Sequence, residues 1–139
     1  MDLNQNWLKQ IGFEDVAKFI LRNDKLEVFP EITSNEKGVY VFLLNNEIVY
    51  VGKTEDKKGL QNRIGLYLIG HKSQKTNKRV KELIKKSLIK GKRIQILFLK
   101  QNKIKNLKQI EFYNFGIHLT LKLLERILIE KIKPIWNRN

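Results

Sequence analysis

Residues 38–52 read GVYVFLLNNEIVYVG, and this stretch predicts a β-hairpin around which the rest of the fold is arranged. Two runs rich in β-branched and aromatic residues flank Asn45 and Asn46. Asparagine tolerates the positive φ that a tight turn requires, and β-branched side chains favour strands. The sequence therefore predicts two antiparallel strands over residues 39–51.

The length of the hairpin loop decides which side chains share a face of the sheet. With a two-residue loop, Leu44 pairs with Glu47, and Tyr40 and Tyr50 fall on opposite faces. With a three-residue loop, Leu43 pairs with Glu47 and the tyrosines lie directly across from each other. The second register gives one face of Val39, Val41, Leu43, Val49 and Val51 and another of Gly38, Tyr40, Phe42, Ile48, Tyr50 and Gly52. We therefore predict a three-residue loop with a bulge at the turn.

The spacing of apolar residues outside the hairpin predicts several helices and one more strand. Two helical pieces, interrupted at Gly12, are expected within residues 3–22. The further elements are a helix over residues 60–69 ending at Gly70, a helix over residues 77–90 capped by Thr76 and closed by Gly91, a strand over residues 93–99, and a helix over residues 119–131 before Pro134. Residues 26–34 stay open between an edge strand and a loop, because Pro30 argues against a central strand.

The predicted fold class is α+β, with a small central three-stranded antiparallel sheet flanked by helices. Residues 1–37 would add an N-terminal helical extension, and residues 72–93 a basic helical insert. A chain of 139 residues with 42% hydrophobic content fits one compact domain, which we place over residues 1–139 with its core over residues 38–137.

The composition excludes several classes of site. The absence of cysteine rules out disulfides and thiolate zinc sites, and His71 and His118 are too few for a multi-histidine metal site. No stretch approaches the ~18 apolar residues of a membrane span, and the N-terminus does not resemble a signal peptide. We therefore expect a cytoplasmic protein with no membrane partner.

The net charge of +14 points to a polyanionic partner. A surplus of 28 Lys and Arg over 14 Asp and Glu attracts nucleic acid through counterion release. Charge alone also allows an RNA-binding or ribosome-associated protein, an anionic membrane surface, or a general lysine bias, and it says nothing about catalysis. No aromatic stacking motif on a strand supports RNA binding.

Residues 72–93 concentrate this charge, with ten basic residues against Glu82 alone. A solvated helix face would usually mix both signs. We predict that this segment follows a DNA backbone, with the principal contacts made by Lys72, Lys75, Lys78, Arg79, Lys81 and Lys85.

A set of residues spread over positions 38–137 resembles the signature of the GIY-YIG nucleases. Its members, in order, are Gly38-Val39-Tyr40, Tyr50-Val51-Gly52, Lys53, Arg63, Tyr67, Glu125 and Asn137. The resemblance implies a DNA endonuclease with one Mg²⁺ per active site, for which Mn²⁺ could substitute. It is closer to phage and restriction-type members than to repair enzymes, which implies a prokaryotic or phage origin. The alternative is a catalytically inactive DNA-binding module with the same fold.

The two tyrosines of the hairpin have a structural interpretation besides the catalytic one. A cross-strand aromatic pair would stabilise the hairpin by ~0.5–1 kcal/mol. The ammonium of Lys53, at the end of the same strand, would instead lower the pKa of a tyrosine from ~10. The resemblance implies that Tyr40 helps to deprotonate the attacking water while Tyr50 orients the water or the phosphate. Which tyrosine is the base stays open.

Arg63 and Glu125 are the charged candidates. Arg63 is either a solvated helix cation or, as the resemblance implies, the ligand of the scissile phosphate, and it shares a helix face with Tyr67. Glu125 lies within the apolar stripe of its helix, where a carboxylate needs a partner. That partner is either a lysine or a Mg²⁺ ion, which suits a single carboxylate that leaves several waters bound.

Two residues have weaker assignments. The resemblance implies that Asn137 supports the site by hydrogen bonding, although it could equally be a turn residue. His71 is either a loop residue or a group that contacts phosphate or transfers a proton. One catalytic set cuts one strand at a time, so double-strand cleavage would require a homodimer, a higher oligomer or successive nicks, and the sequence does not choose among them.

Overall fold

A computed structural model describes residues 4–104, 107 and 120–138 of the chain. Within them the strands are β1 (Glu14–Arg22), β2 (Lys25–Phe29), β3 (Gly38–Leu44), β4 (Glu47–Thr54) and β5 (Ile94–Lys100). The helices are α1 (Gln5–Ile11), α2 (Gly59–Ile69), α3 (Lys75–Ile89), α4 (Gln101–Ile104) and α5 (Leu121–Ile132), followed by a 3₁₀ turn at Ile135–Asn137.

The strands form one antiparallel sheet in the order β2-β1-β5-β3-β4. The α+β class is confirmed. The expected three strands are too few, because β1 and β2 extend the sheet beyond β5. Strand β2 is the edge strand that was one of the two interpretations of residues 26–34. At the opposite edge lies β4, which contains Tyr50-Val51-Gly52.

The N-terminal extension is helical only in its first part. Helix α1 forms as expected, since Asn4 caps it and Gly12 ends it in the left-handed conformation. The second predicted helix is wrong, because those residues form β1. The register of β1 against β5 shifts between Asp15 and Ala17, so a bulge at Val16 disturbs the alternation of the strand. The bulge interrupts the alternation of apolar and polar residues along β1, so their spacing in the sequence resembles that of a helix.

The hairpin turn contains two residues, so the predicted three-residue loop is wrong. Leu44 pairs with Glu47, and Asn45 and Asn46 have φ values of 46° and 75°. Such a loop alone would place the tyrosines on opposite faces. The register of the hairpin also shifts between Phe42 and Leu43. The resulting bulge at Val49 returns Tyr40 and Tyr50 to the same face of the sheet.

The bulge also changes the pairing of the motif residues. Phe42 lies opposite Tyr50, and Tyr40 lies opposite Gly52. The two faces are therefore as predicted, except that Ile48 and Val49 have exchanged sides.

Separate hydrophobic cores cover the two faces of the sheet. Helices α1 and α5 pack on one face, through residues such as Leu8, Leu124 and Leu128. Helices α2 and α3 pack on the other, together with Trp136. The chain passes from the first face to the second beside the edge strand β4, so side chains from both layers can meet there.

The other predicted helices agree with the structure to within a few residues. Helix α2 ends at Gly70, which adopts the left-handed conformation. Helix α3 begins at Lys75, so Thr76 is not its cap. Thr120 caps α5, and residue 119, where that helix was expected to begin, lies outside the described residues. Among the described helices none is both long and apolar enough to cross a bilayer.

Candidate active site

Three tyrosine hydroxyl groups meet on the α2 side of the sheet. Tyr40 and Tyr50 extend from the hairpin, and Tyr67 extends from α2. The hydroxyl oxygens of Tyr40 and Tyr67 are 2.6 Å apart, and the Tyr67 hydroxyl donates to that of Tyr50 at 3.1 Å. Tyr40 and Tyr67 are fully buried, whereas 6% of Tyr50 is exposed. We call these three residues the tyrosine cluster, and Tyr50 is its least buried member.

Arg63 binds the tyrosine cluster through two nitrogens. Its Nε donates to the Tyr40 hydroxyl and its Nη2 to the Tyr67 hydroxyl, each at 3.1 Å. The guanidinium carbon also lies 4.9 Å from the centroid of the Tyr67 ring. Arg63 and Tyr67 stand one helical turn apart on α2, as predicted. The interpretation of Arg63 as a solvated cation is therefore wrong.

The hydrogen bonds also fix the direction of the hydroxyl protons. A hydroxyl has one proton to donate, and Tyr67 uses its proton on Tyr50. Tyr40 must therefore donate to Tyr67. The Tyr50 oxygen accepts from Tyr67, and in the described part of the chain no acceptor is hydrogen-bonded to its own proton. Tyr50 can thus donate to an incoming group.

Burial raises the pKa of all three tyrosines well above the ordinary value, and the positive charge of Arg63 opposes this shift. The expectation that Lys53 lowers a tyrosine pKa is wrong. Its ammonium instead pairs with the Glu55 carboxylate at 2.7 Å. The cluster is therefore protonated at neutral pH.

The glycine of the second motif is required by the ring of Tyr40. A Cβ atom at Gly52 would overlap the Tyr40 ring and hydroxyl. Gly52 lies directly opposite Tyr40 in the hairpin, and the fully buried ring crosses its Cα. The glycine therefore lets the Tyr40 hydroxyl reach the cluster.

Glu125 approaches the same edge of the sheet from the other face. It lies half-buried on α5, and its carboxylate forms no hydrogen bond or ion pair with another described residue. Burial raises its pKa, while the charges of Lys53 and Arg63 lower it and that of Glu55 raises it. Among the described residues, therefore, no lysine forms an ion pair with Glu125, which was the alternative to a metal ion. The charge of Arg63 thus acts on Glu125, although α2 and α5 pack on opposite faces of the sheet.

Asn137 closes the outer edge of β4. Its Oδ1 accepts from the backbone N–H of Val51 at 2.9 Å, and its Nδ2 donates to the carbonyl of Val51 at 2.8 Å. These bonds occupy both backbone groups of the residue that follows Tyr50. The expected supporting role by hydrogen bonding thus has a definite geometry, although Asn137 also lies in a turn.

Arg79 adjoins the site in a way that the sequence did not indicate. Its Nη2 donates to the carbonyl of Trp136 at 2.7 Å. Burial dominates the raised pKa of Tyr50, and the charge of Arg79 acts in the opposite direction, as does that of Arg63. Arg79 was predicted as one DNA-binding cation among several. Its contact spans 57 residues of sequence, so no local pattern could have distinguished it.

The other predicted DNA-binding cations lie on different sides of the α3 region. Lys72, Lys75 and Lys78 are exposed. Lys81 and Lys85 are half-buried on the edge of α3 that faces α2, and the Lys81 ammonium donates to the Ile69 carbonyl at 3.2 Å.

His71 lies outside the tyrosine cluster. Its Nδ1 is 2.7 Å from the Ser73 hydroxyl, and both residues are exposed. This contact is that of a loop residue, and within the described residues no contact joins His71 to the cluster.

The residues at the β4 edge fit one hard divalent cation. Glu125 offers a half-buried carboxylate whose charged form is disfavoured, and a cation would relieve that cost. Within the described ranges no group of three or more acidic, histidine or cysteine side chains could hold a metal. A single carboxylate suits Mg²⁺, which keeps most of its water ligands.

No protein-family model matches the chain. It is 34% identical over 101 residues to UvrABC system protein C of Fusobacterium nucleatum subsp. nucleatum, a match that covers 72% of this chain and 13% of that protein. The chain therefore spans only a small part of this relative.

The fold is similar to two solved nuclease structures. A mutant of bacteriophage T4 EndoII aligns with a TM-score of 0.70 and 19% identity, over 99% of this chain and 100% of that one. The restriction endonuclease HPY188I in complex with product DNA aligns with a TM-score of 0.50 and 20% identity, over 95% of this chain and 81% of that one. The motif residues of the GIY-YIG signature occur in the expected order in the sequence, and the fold matches that of EndoII. Arg63 and the tyrosines of the motif come together beside the edge strand β4. The chain belongs to the GIY-YIG nuclease superfamily.

Proposed function

We propose that the chain is a Mg²⁺-dependent DNA endonuclease that hydrolyses phosphodiester bonds at the edge of β4. The observation that carries the proposal is the convergence of Arg63, the tyrosine cluster and Glu125 on this edge from opposite faces of the sheet. Phosphodiester hydrolysis needs an oriented water, positive charge beside the phosphate and stabilisation of the leaving oxygen. The three components offer these functions separately.

Arg63 would hold the scissile phosphate. Two of its five N–H donors contact Tyr40 and Tyr67, which fixes the plane of the guanidinium. The remaining donors can bind a non-bridging oxygen without reorganisation of the side chain. The tyrosines thus position Arg63 as well as serving the water.

Tyr50 would orient the attacking water, since it is the least buried member of the tyrosine cluster. The proton released by the water would be taken up by the deprotonated form of the cluster, in which the three phenol oxygens share two protons. The three hydroxyls are coupled, so the vacant proton site belongs to the network rather than to one phenol. Arg63 favours the deprotonated cluster in each case.

Glu125 would hold one Mg²⁺, for which Mn²⁺ could substitute. The ion would supply charge to the phosphate and stabilise the leaving oxygen. Lys53, whose charge acts on Glu125, would keep the carboxylate ionised at neutral pH.

DNA is the proposed substrate, and the cations of residues 72–93 are proposed to hold its backbone. The similarity in fold to EndoII supports an enzyme of phage or restriction type. Double-strand cleavage would require a second active site from another copy, or successive nicks.

Cleavage of supercoiled plasmid by the purified chain in Mg²⁺ or EDTA tests this proposal. We expect nicked and linear DNA only with Mg²⁺, a reduction of about 10²-fold or more in Glu125→Ala, and parental activity in Glu130→Ala on the exposed side of the same helix. Equal cleavage by Glu125→Ala and the parent would refute the mechanism. A parent that binds DNA without cutting it would be a catalytically inactive binding module.

A further inference from the structure

A groove along the outer face of α2 carries features of a nucleic-acid site that the motif does not include. The groove has a volume of about 600 Å³. The lining residues on which the argument depends are Asn35, Lys57, Lys58, Gln61, Asn62 and Gly65. The lining contains two lysines, three amides and no acidic side chain. We call it the α2 groove, and we propose that it binds the DNA strand that continues from the phosphate held by Arg63. This inference rests on the proposed function.

The polar side chains of the α2 groove have no hydrogen-bond or ion-pair partners among the described residues. The amides of Asn35, Gln61 and Asn62 form no hydrogen bond with any described residue, and neither lysine is in an ion pair there. Asn35, Gln61 and both lysines are exposed. Amide side chains can donate to and accept from base edges or phosphates, and lysines neutralise phosphates.

The backbone at the start of α2 is already satisfied, so it does not bind the strand. The Asp56 carboxylate accepts from the N–H groups of Lys58 and Gly59. The next two N–H groups donate to the carbonyls of Glu36 and Ser34 at 3.1 and 2.8 Å. Recognition in the α2 groove must therefore come from side chains.

Gly65 gives a second, independent indication that something approaches α2 closely. Glycine in the middle of a helix is unfavourable relative to alanine, yet a Cβ at Gly65 would meet nothing within 4 Å. Packing against the described residues therefore does not require this glycine. Glycine is favoured where another backbone or a ligand comes close, and Gly65 lies on the floor of the groove.

The α2 groove is next to the active site on the same helix. Asn62 precedes Arg63, and Leu66, also in the lining, precedes Tyr67. The groove thus begins within about a third of a turn around α2 from Arg63. Gly59, the first residue of α2, lies four positions before Arg63, about 6 Å along the helix, and Lys57 and Lys58 directly precede it. Duplex DNA advances ~3.4 Å per nucleotide along each strand, so two or three nucleotides would reach the lysines.

The charge of the lining distinguishes the α2 groove from the neighbouring cavity. Beyond Gly65 and Ile69 a second cavity of about 730 Å³ continues the surface, and its lining mixes both signs. Three carboxylates (Asp24, Glu27 and Glu31) stand there beside three lysines (Lys25, Lys81 and Lys85). The charged residues that line the α2 groove are both lysines, so the groove attracts a phosphate backbone more strongly than the second cavity does.

Fluorescence anisotropy with a fluorescein-labelled 20-base-pair duplex in EDTA tests this inference in the full chain. The double variant Lys57→Gln/Lys58→Gln should lower the slope of log Kd against log[KCl] by between 1 and 2, at about 0.9 per phosphate contact. The matched control is Lys9→Gln/Lys18→Gln, which removes the same charge from two exposed lysines on α1 and β1, outside the α2 groove and outside residues 72–93. The control should keep the parental slope. Equal losses in the two pairs would mean that only net charge matters, and would overturn the inference.

Gly65→Gln separates binding from folding. The longer side chain projects into open space, so the melting temperature should equal or exceed that of the parent. Affinity for the duplex should fall about tenfold, because the side chain fills the floor of the α2 groove. Parental affinity in Gly65→Gln would overturn the inference.

Two results separate this inference from the proposed function. A parent that binds DNA through the α2 groove but does not cut it would refute the nuclease and keep the groove. A parent that cuts while the lysine pair and Gly65→Gln behave normally would keep the nuclease and refute the groove.

Discussion

The side-chain amide of Asn137 pairs with both backbone groups of Val51, in the manner of an added β-strand. Val51 lies on the edge strand β4 and follows Tyr50, the least buried residue of the tyrosine cluster. The C-terminal turn thus fixes the strand that carries Tyr50, while Arg79 fixes the turn through the carbonyl of Trp136.

Asn137→Ala should destabilise the protein and slow cleavage. Loss of both hydrogen bonds leaves two part-buried backbone groups unpaired, at about 1–3 kcal/mol in the free energy of unfolding. Urea unfolding and plasmid cleavage measure the two effects. Asn137→Asp, which keeps an acceptor for the N–H but places a carboxylate near the carbonyl, should also be impaired. Parental stability in both variants would contradict the geometry.

Tyr50→Phe and Tyr40→Phe should differ in stability although both lose activity. Tyr40→Phe removes the acceptor of Arg63 Nε and a partner of Tyr67, so it should cost about 1–3 kcal/mol. Tyr50→Phe removes only an acceptor at the end of the network and should cost ~1 kcal/mol or less. Cleavage should fall about 10²-fold or more in each. Normal cleavage by Tyr50→Phe would exclude Tyr50 as the residue that orients water.

The rate of cleavage should rise with pH above neutrality. Burial raises the pKa of the three tyrosines, so the whole range from about pH 7 to 9 lies below their titration. The deprotonated fraction then increases about tenfold per pH unit. Single-turnover cleavage should show a log rate with a slope near 1 in this range. A flat profile would show that the cluster does not take up the proton.

Glu125→Gln should abolish cleavage while slightly stabilising the protein at neutral pH. Burial raises the folded-state pKa of Glu125, so ionisation destabilises the fold and this cost grows as pH rises above the unfolded value of about 4.3. Glutamine imitates the protonated acid, so the gain should vanish below that pH. Thermal melts across pH measure it. We expect a shift on the order of 1 °C, since solvent screens a half-exposed group.

The same melts test metal binding. Mg²⁺ at about 10 mM should raise the melting temperature of the parent, because a ligand that binds only the folded state stabilises it. Glu125→Gln should not respond. An equal response in both proteins would show that the ion binds elsewhere.

Arg79→Gln should behave as the loss of a positioning residue. Its guanidinium holds the Trp136 carbonyl, so we expect a lower kcat and an altered Trp136 fluorescence. Lys78→Gln, the exposed neighbour, should instead reduce the salt dependence of DNA binding by ~0.9 with kcat unchanged. If Arg79→Gln lowered only the salt dependence of DNA binding and left kcat unchanged, Arg79 would be a contact to the DNA backbone and not a positioning residue.

The sequence predicted the elements whose signals are local. The hairpin, α2 with its closing glycine and the buried stripe of α5 follow from turn chemistry and apolar spacing. Both main errors arise from β-bulges. The bulge at Val16 made β1 resemble a helix, and the bulge at Val49 gave the correct tyrosine face for the wrong loop length. A bulge depends on the partner strand, so one strand's sequence does not reveal it.

The site likewise has a part that the sequence predicted and a part that it did not. The resemblance to the GIY-YIG signature identified the motif residues, but the hydrogen bonds that connect them do not follow from the sequence. Asn137 contacts Val51 across 86 positions, and Arg79 contacts Trp136 across 57. The raised tyrosine pKa values also contradicted the local expectation from Lys53, because burial and the Glu55 ion pair depend on the complete fold.

The position of Asn137 has a further consequence for the solution behaviour of the protein. An edge strand with free backbone groups can add a strand from a second molecule and begin aggregation. Strand β4 is such an edge, and its motif residues cannot be replaced by charged or proline residues without loss of the tyrosine cluster. The amide of Asn137 occupies the part-buried N–H and carbonyl of Val51, in the middle of β4. The two hydrogen bonds that support the site therefore also oppose the pairing of a second molecule with β4 at Val51. The residues on either side of Val51, Tyr50 and Gly52, must be kept for the tyrosine cluster.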